Sequence, residues 1–425
     1  MRVLVVGSGG REHALVEALA AGGAEVHATR PNPGMARHAH AVDASPDDVG
    51  GIVAAAVRLG VGLVVVGPEA PLVAGIGNAL RAAGIPCLGP DADGARLEGS
   101  KAFAKAFLDR HAIATARYRN CGSPAEALRA LREFGAPIVV KADGLAGGKG
   151  VVVAECVADA EAAIASLQVE RRLGSAGDVL VLEERLQGPE LTVMALCDGE
   201  RLLVLDTCRD FKRIGEGDCG DNTGGMGAVC PVPLAADLMA RIDTDILQPT
   251  LRGLVRDGVH FRGVLYAGLM LTADGPKVLE YNVRFGDPEA QVLLPRLGGA
   301  FVDLALAAAT GRLPAQAPAY DRRAAVTVVL AAAGYPAAPR IGDAIYGVEA
   351  AAAEADVHVF HAGTRNDGDG NQRAGTLRTS GGRVLAVTGL GATIASARAA
   401  AYRGVGRIRF DGMQVRPDIG RSLAT

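Results

Sequence analysis

Three stretches of this chain carry side chains whose types and spacing suit phosphate chemistry. The first is Lys141-Ala142-Asp143-Gly144-Leu145-Ala146-Gly147-Gly148-Lys149-Gly150. A phosphate loop of the Walker type needs Ser or Thr after its lysine, and Gly150 stands there. Glycines let a backbone approach phosphate oxygens and lysines neutralise them, so the stretch reads as a hairpin flap closing over a nucleoside triphosphate. The second is Glu280-Tyr281-Asn282-Val283-Arg284-Phe285-Gly286-Asp287-Pro288-Glu289. Strand alternation puts Glu280, Asn282 and Arg284 on one face. Two oxygen ligands at that spacing suit a divalent ion such as Mg²⁺, which keeps other positions for phosphates and water. Arg284 can neutralise a moving phosphoryl group. The third, Glu183-Glu184-Arg185-Leu186 with Glu190, ends one apolar strand and opens the next segment; alone it equally describes a solvated strand end.

Two polar loops, Asp210-Phe211-Lys212-Arg213 and Asp221-Asn222-Thr223-Gly224-Gly225-Met226-Gly227, suit substrate handling or a purely structural turn. Gly7-Ser8-Gly9-Gly10 follows a first strand, but Glu12 occupies the last glycine position of the dinucleotide fingerprint. Thr29-Arg30 also stands where an acid would hold a ribose, which argues against a nicotinamide cofactor. The loop remains either an anion site at a helix N-terminus or a tight turn.

The cations are lopsided: only six of the 44 are lysine, at 101, 105, 141, 149, 212 and 277. In an arginine-rich chain, a surviving lysine marks places where a compact ammonium is not replaceable by a planar fork. Seven cysteines form no C-x-x-C pair, and the even spacing of Cys197, Cys208, Cys219 and Cys230 is not a zinc-ligand spacing.

The elements around these residues follow from periodicity. Val3–Val6, Glu25–Ala28, Gly62–Val66 and Ile85–Leu88 read as strands between helices at 12–21, after a cap at Ser45, and at 71–83. That alternation is the signature of a doubly wound parallel sheet, whose ligands sit beyond the carboxyl ends of its strands, here at Gly9, Gly10 and Glu69. From residue 100 the texture becomes α+β, with a helix at 99–111 and a proline-led capping box at Ser123–Glu126. A hairpin joins 265–271 to 277–285. We expect an amino-terminal α/β domain at 1–100, a core at 101–323 with a small lobe at about 115–188, and an α+β domain at 324–425. The net charge of −3 offers no field for nucleic acid. No apolar run nears the roughly 18 residues of a membrane helix, and the expectation is a cytoplasmic monomer acting on small molecules.

Lys105, the 141–150 flap, Glu183–Leu186 with Glu190, and Glu280–Glu289 together resemble the nucleotide site of the ATP-grasp superfamily. With Gly7–His13, Lys212-Arg213 and Asn222–Gly227, the whole chain is similar to the phosphoribosylamine–glycine ligase family. Asp221, where that family's pattern suggests proline, and Phe211, where histidine is common, depart from it. The resemblance implies ATP-dependent joining of glycine to 5-phosphoribosylamine through glycyl phosphate, in purine biosynthesis. It implies that Lys105, Lys141, Gly147, Gly148 and Lys149 contact ATP phosphates. Glu183, Glu184, Leu186 and Glu190 would serve adenine and ribose, and Glu280 and Asn282 would hold Mg²⁺ or Mn²⁺. Arg284, Asp210 and Lys212 would act at the reacting groups. Asn222, Gly225, Met226, Asp287, Pro288 and Glu289 would hold substrate, with Gly9, Gly10 and Glu69 on the sugar phosphate. A biotin-type carboxylase is the main alternative; it would place a second carboxylate ligand at Leu269-Met270, where none stands.

Overall fold

The structure is a computed structural model describing residues 1–147, 150–367 and 375–424. Gly148 and Lys149 lie outside the described residues.

The amino-terminal sheet is parallel, with spatial order Ala39–Val42, Glu25–Thr29, Arg2–Val6, Leu63–Val66 and Cys87–Leu88. Its first strand lies in the middle, so chain direction across the sheet reverses between Arg2–Val6 and Leu63–Val66, the crevice where such sheets take ligands. The loops leaving those two strands are Gly7–Gly9 and Gly67-Pro68, and both close on Glu12. Glu12 belongs to the helix Gly10–Ala21 and reaches back to accept from Gly9 N at 2.6 Å. The residue that breaks the dinucleotide fingerprint is packed against both loops, within 3 Å of where a Cβ at Gly7, Gly9 or Gly67 would lie. Two local expectations differ. Asp48, not Ser45, caps the helix Val49–Leu59, accepting from Gly51 N at 2.9 Å. The helix expected over 71–83 is two, Glu69–Val73 and Ile76–Ala82, parted at Gly75 with φ +89°.

The small lobe is an antiparallel sheet in the order Tyr118–Cys121, Leu180–Glu184, Ile138–Ala142, Val151–Ala154. Helix Pro124–Phe134 covers it, with its first turn capped by Ser123 and its end at Gly135. Facing it, a second antiparallel sheet runs Leu202–Val204, Glu190–Asp198, Arg262–Thr272, Gly275–Asn282. Its last pair is the expected hairpin. A third sheet draws Arg209–Asp210 and Gly227–Cys230 from before residue 324 and Ala324–Ala331, Arg383–Gly391 and Val357–His361 from after it. Among the described residues no single helix is long and apolar enough to cross a membrane.

Candidate active site between the sheets

The two antiparallel sheets of the central region and loops from both ends of the chain enclose a cleft of about 1070 Å³. Lys105 enters from the helix Lys101–Arg110 and Lys141 from the end of the strand Ile138–Ala142. Glu183 lies between them, 3.0 Å from Lys105 Nζ and 2.9 Å from Lys141 Nζ. All three are nearly fully buried in the wall of the cleft. Lys105 also donates to Thr115 Oγ1 at 2.7 Å and Lys141 to the Leu279 carbonyl at 3.2 Å. Glu183, expected beside adenine or ribose, here orients the two ammonium groups. Burial pulls the Lys105 pKa down to about 8 against the opposing pull of Glu183. A cation matters most for an incoming polyphosphate, so kcat/KM for ATP is expected to fall as pH rises through about 8. A profile flat from pH 7 to 9.5 in wild type would show that Lys105 keeps its proton across that range.

The root of the flap is fixed to the same helix. Asp143 accepts from Ala102 N at 2.7 Å and from Ser100 Oγ at 2.9 Å, a carboxylate on a helix N-terminus. Gly147 lines the cleft, as do Glu184 and Leu186. Glu184 meets Arg117 in two ways: its own N–H donates to the Arg117 carbonyl, and its carboxylate accepts from Arg117 N at 3.0 Å.

A bulge shapes the face expected to hold a metal ion. Gly268 pairs with Glu280 but Leu269 pairs with Val278, so Leu279 is extra. Val278 and Tyr281 point into the core while Leu279, Glu280 and Asn282 face the cleft, the re-aiming such bulges produce near active sites. Burial raises the Glu280 pKa, but Lys212, Lys141 and Lys101 outweigh it and hold the carboxyl below its usual value. An ionised carboxylate and the Asn282 amide oxygen on one face fit a hard divalent ion that takes its other ligands from phosphate and water. Asn282 Oδ1 meanwhile accepts from Arg284 Nη2 at 3.2 Å.

Arg284 is gripped by acids from the amino-terminal region: Glu98 at 2.7 Å and Glu69 at 3.4 Å. Burial disfavours its charge, yet Glu98 and Glu69 more than compensate and raise its pKa, so it stays cationic. Lys212 lies 2.9 Å from Glu190 and 3.7 Å from Glu280. Burial lowers its pKa, but those carboxylates and Asp210 lift it well above normal. Asp210 lines the same wall with Oδ1 buried and without a hydrogen-bond partner among the described residues. Burial and the nearby Glu289 raise its pKa well above the usual range. Glu289 accepts from Tyr266 at 2.7 Å, and Asp287 pairs with Arg383 at 2.9 Å.

Three expected substrate residues line neither this cleft nor the second cavity beside it. Met226 is fully buried in the core, and Pro288 is buried behind the wall. Gly225 has φ +108°, and a Cβ there would meet Pro288 Cδ at 2.5 Å and Asp210 Oδ1 at 2.7 Å. Its part is to let two loops close, which spacing cannot distinguish from ligand contact. Gly9 and Gly10 line a second cavity of about 690 Å³, joined to the first through Asp287 and Arg383. Asn222 lines the main cleft, whereas Asp221 is exposed and outside it. Phe211 is buried and stacks 5.3 Å from the Arg416 guanidinium.

Sequence reasoning missed Arg11, Glu98, Lys101, Tyr266 and Arg383, all of which line the cleft. The scarcity of lysine pointed to Lys101, which donates to the Gly144 carbonyl at 3.4 Å. Arg383 is invisible to motif reading. It comes from the third sheet, bonding the carbonyls of Gly224 and Asp287.

Three phosphoribosylglycinamide synthetase domain families match most of the chain. The N domain covers residues 1–98, the ATP-grasp (A) domain 99–290 and the C domain 325–422. A phosphoribosylamine–glycine ligase of Streptomyces coelicolor is 48% identical over 432 residues, covering 100% of both chains. One from Allochromatium vinosum is 47% identical, covering 100% of this chain and 99% of its own. The crystal structure of the Thermotoga maritima phosphoribosylamine–glycine ligase aligns with TM-score 0.85 at 35% identity, over 99% of this chain and 100% of that one. A biotin carboxylase domain from Hydrogenobacter thermophilus, solved with magnesium ADP and bicarbonate, shares the fold at TM-score 0.74 and 17% identity, over 97% of this chain and 91% of that one. With its acid-and-lysine cleft set in an ATP-grasp core between matching N and C domains, the chain belongs to the phosphoribosylglycinamide synthetase, or phosphoribosylamine–glycine ligase, family.

Proposed function

We propose that this cleft joins glycine to 5-phosphoribosylamine at the expense of ATP, through glycyl phosphate, giving glycinamide ribonucleotide for purine biosynthesis. The observation that carries the reading is one cleft in which Lys105 and Lys141, the Glu280–Asn282 face and Arg284 converge. A carboxylate oxygen is a poor leaving group, so activation as an acyl phosphate precedes attack by an amine. Lys105 and Lys141, held by Glu183, receive the phosphates. Leu186 and Glu184 flank the base, with Glu190 towards the ribose. Glu280 and Asn282 hold Mg²⁺ or Mn²⁺, which when bound neutralises charge on the transferring group. Arg284 faces the transferred phosphoryl and the acyl oxygen. Lys212, Asp210, Asn222, Asp287 and Glu289 line the amine side, and Glu69 with the Gly9-Gly10 loop approaches the sugar phosphate. The flap keeps water from the acyl phosphate.

The test is ADP release with glycine and phosphoribosylamine omitted in turn. ADP formation is expected to require glycine, and amide product to require both. Equal turnover with bicarbonate in place of glycine would overturn the assignment. Glu280→Gln is expected to raise the Mg²⁺ needed for half-maximal activity at least tenfold and to lower turnover on the order of 10²-fold, because a single charge facing the phosphoryl group is lost. Unchanged activity at limiting Mg²⁺ would rule out the metal role.

A further inference from the structure

The eleven-residue spacing of cysteines yields no metal site among the described residues, but it does bring two thiols together. The register Arg209↔Val229 and Asp210↔Ala228 sets Cys208 directly opposite Cys230. Phe211 N donates to the Gly227 carbonyl, which makes 211/227 and 209/229 hydrogen-bonded pairs and leaves 208/230 a non-hydrogen-bonded one. Cys208 instead bonds Thr192 through both its N–H and its carbonyl, at 2.9 and 2.8 Å. Opposed residues of that class have Cα atoms about 4.5 Å apart, within the roughly 4.4–6.8 Å a disulfide spans. Both side chains are fully buried, and the neighbouring Cys230 thiol adds to burial in raising the Cys208 pKa. Arg296 Nη1 lies 2.9 Å from Cys230 Sγ and 2.8 Å from Asp206 Oδ2.

We propose that Cys208 and Cys230 are a thiol-oxidation site that closes an in-register cross-strand disulfide when a hydroperoxide reaches it. Cys230 is the first to react, since its sulfur is the one in contact with a cation, Arg296 Nη1 at 2.9 Å. Its sulfur attacks a peroxide oxygen and the O–O bond breaks. The departing oxygen leaves as water with the Cys230 proton, and a sulfenic acid remains. Cys208 sulfur then attacks that sulfur, the S–O bond breaks, and hydroxide leaves with the Cys208 proton as a second water. Two thiols are oxidised and one peroxide is reduced. Burial raises the Cys208 pKa and both thiols lie in the core, so the reaction is slow. The bond would close a loop that carries Asp210, Lys212 and Asn222. The inference does not depend on the ligase reading.

The exposed Cys156 and Cys219 are replaced by serine so that they do not consume oxidant. The full chain is treated with hydrogen peroxide, unfolded in an alkylating reagent and weighed intact. Of the five cysteines left, three are expected to be alkylated, with a digest joining the peptides of Cys208 and Cys230. Five alkylated cysteines, a bridge involving any other pair, or sulfinic acid at Cys230 beside free Cys208 would overturn the proposal. Adding Cys208→Ala should leave a Cys230 sulfenic acid that dimedone traps. If that variant does not fold, the mass measurement on the Cys208-containing protein decides alone.

Discussion

Replacing Arg284 by alanine is expected to lower glycine-dependent ADP formation by about 10³-fold or more, at the low end of what arginines facing a transferring phosphoryl group contribute. The geometry gives two separate reasons. Arg284 lies on the strand-exit face beside Asn282, where the moving phosphoryl group must sit on the proposed reading. It also neutralises Glu98, which is buried, and Glu69, which is partly exposed in the cleft; both come from the amino-terminal region. Removing one partner of such a buried pair leaves an uncompensated charge and costs about 3–5 kcal/mol of stability. Arg284→Ala alone therefore confounds catalysis with folding. The combined variant Glu98→Gln/Arg284→Ala relieves most of the burial cost, and should recover melting temperature without recovering turnover. Recovery of turnover in the double variant would show that Arg284 is structural.

Lys105→Arg and Lys141→Arg form the second expected large effect, each on the order of 10²-fold in kcat/KM for ATP, with Lys277→Arg near wild type. All three keep their charge. Lys105 and Lys141 share the carboxylate of Glu183 in an almost completely buried triad, and Lys141 also reaches the carbonyl at the strand bulge. A guanidinium is wider and demands a planar fork, so it would displace Glu183 or the phosphates, and a shift of about 1 Å suffices for a loss of that size. Lys277 sits 3.9 Å from Glu184 at the partly exposed start of a hairpin strand, where arginine has room. Wild-type values for both cleft variants, with unchanged circular dichroism, would reduce the scarcity of lysine to coding bias.

Local pattern determined much of this molecule. Apolar runs parted by glycine set the parallel strands at Arg2–Val6 and Leu63–Val66, because each buried strand needs only its own side chains to be recognised. The Ser123 cap, the helix stop at Gly135 and the Thr272–Gly275 hairpin were equally legible, since caps and turns depend on residues a few positions apart. So were Lys105, Lys141, Glu280, Asn282 and Arg284, whose types carry their chemistry wherever they lie. What spacing could not reveal was depth and partnership. Met226 and Pro288 share motifs with cleft residues yet are buried away from the cleft, because the loops that carry them fold inward at those positions. The bulge at Leu279 turns Glu280 to the cleft, and it is fixed by how Glu280 and Val278 pair with Gly268 and Leu269 on the neighbouring strand. Glu183 became a clamp for two lysines, and Glu98 and Arg383 entered the cleft from opposite ends of the chain. Those assignments arise from long-range contacts between sheets, and no local sequence window contains the residues that make them.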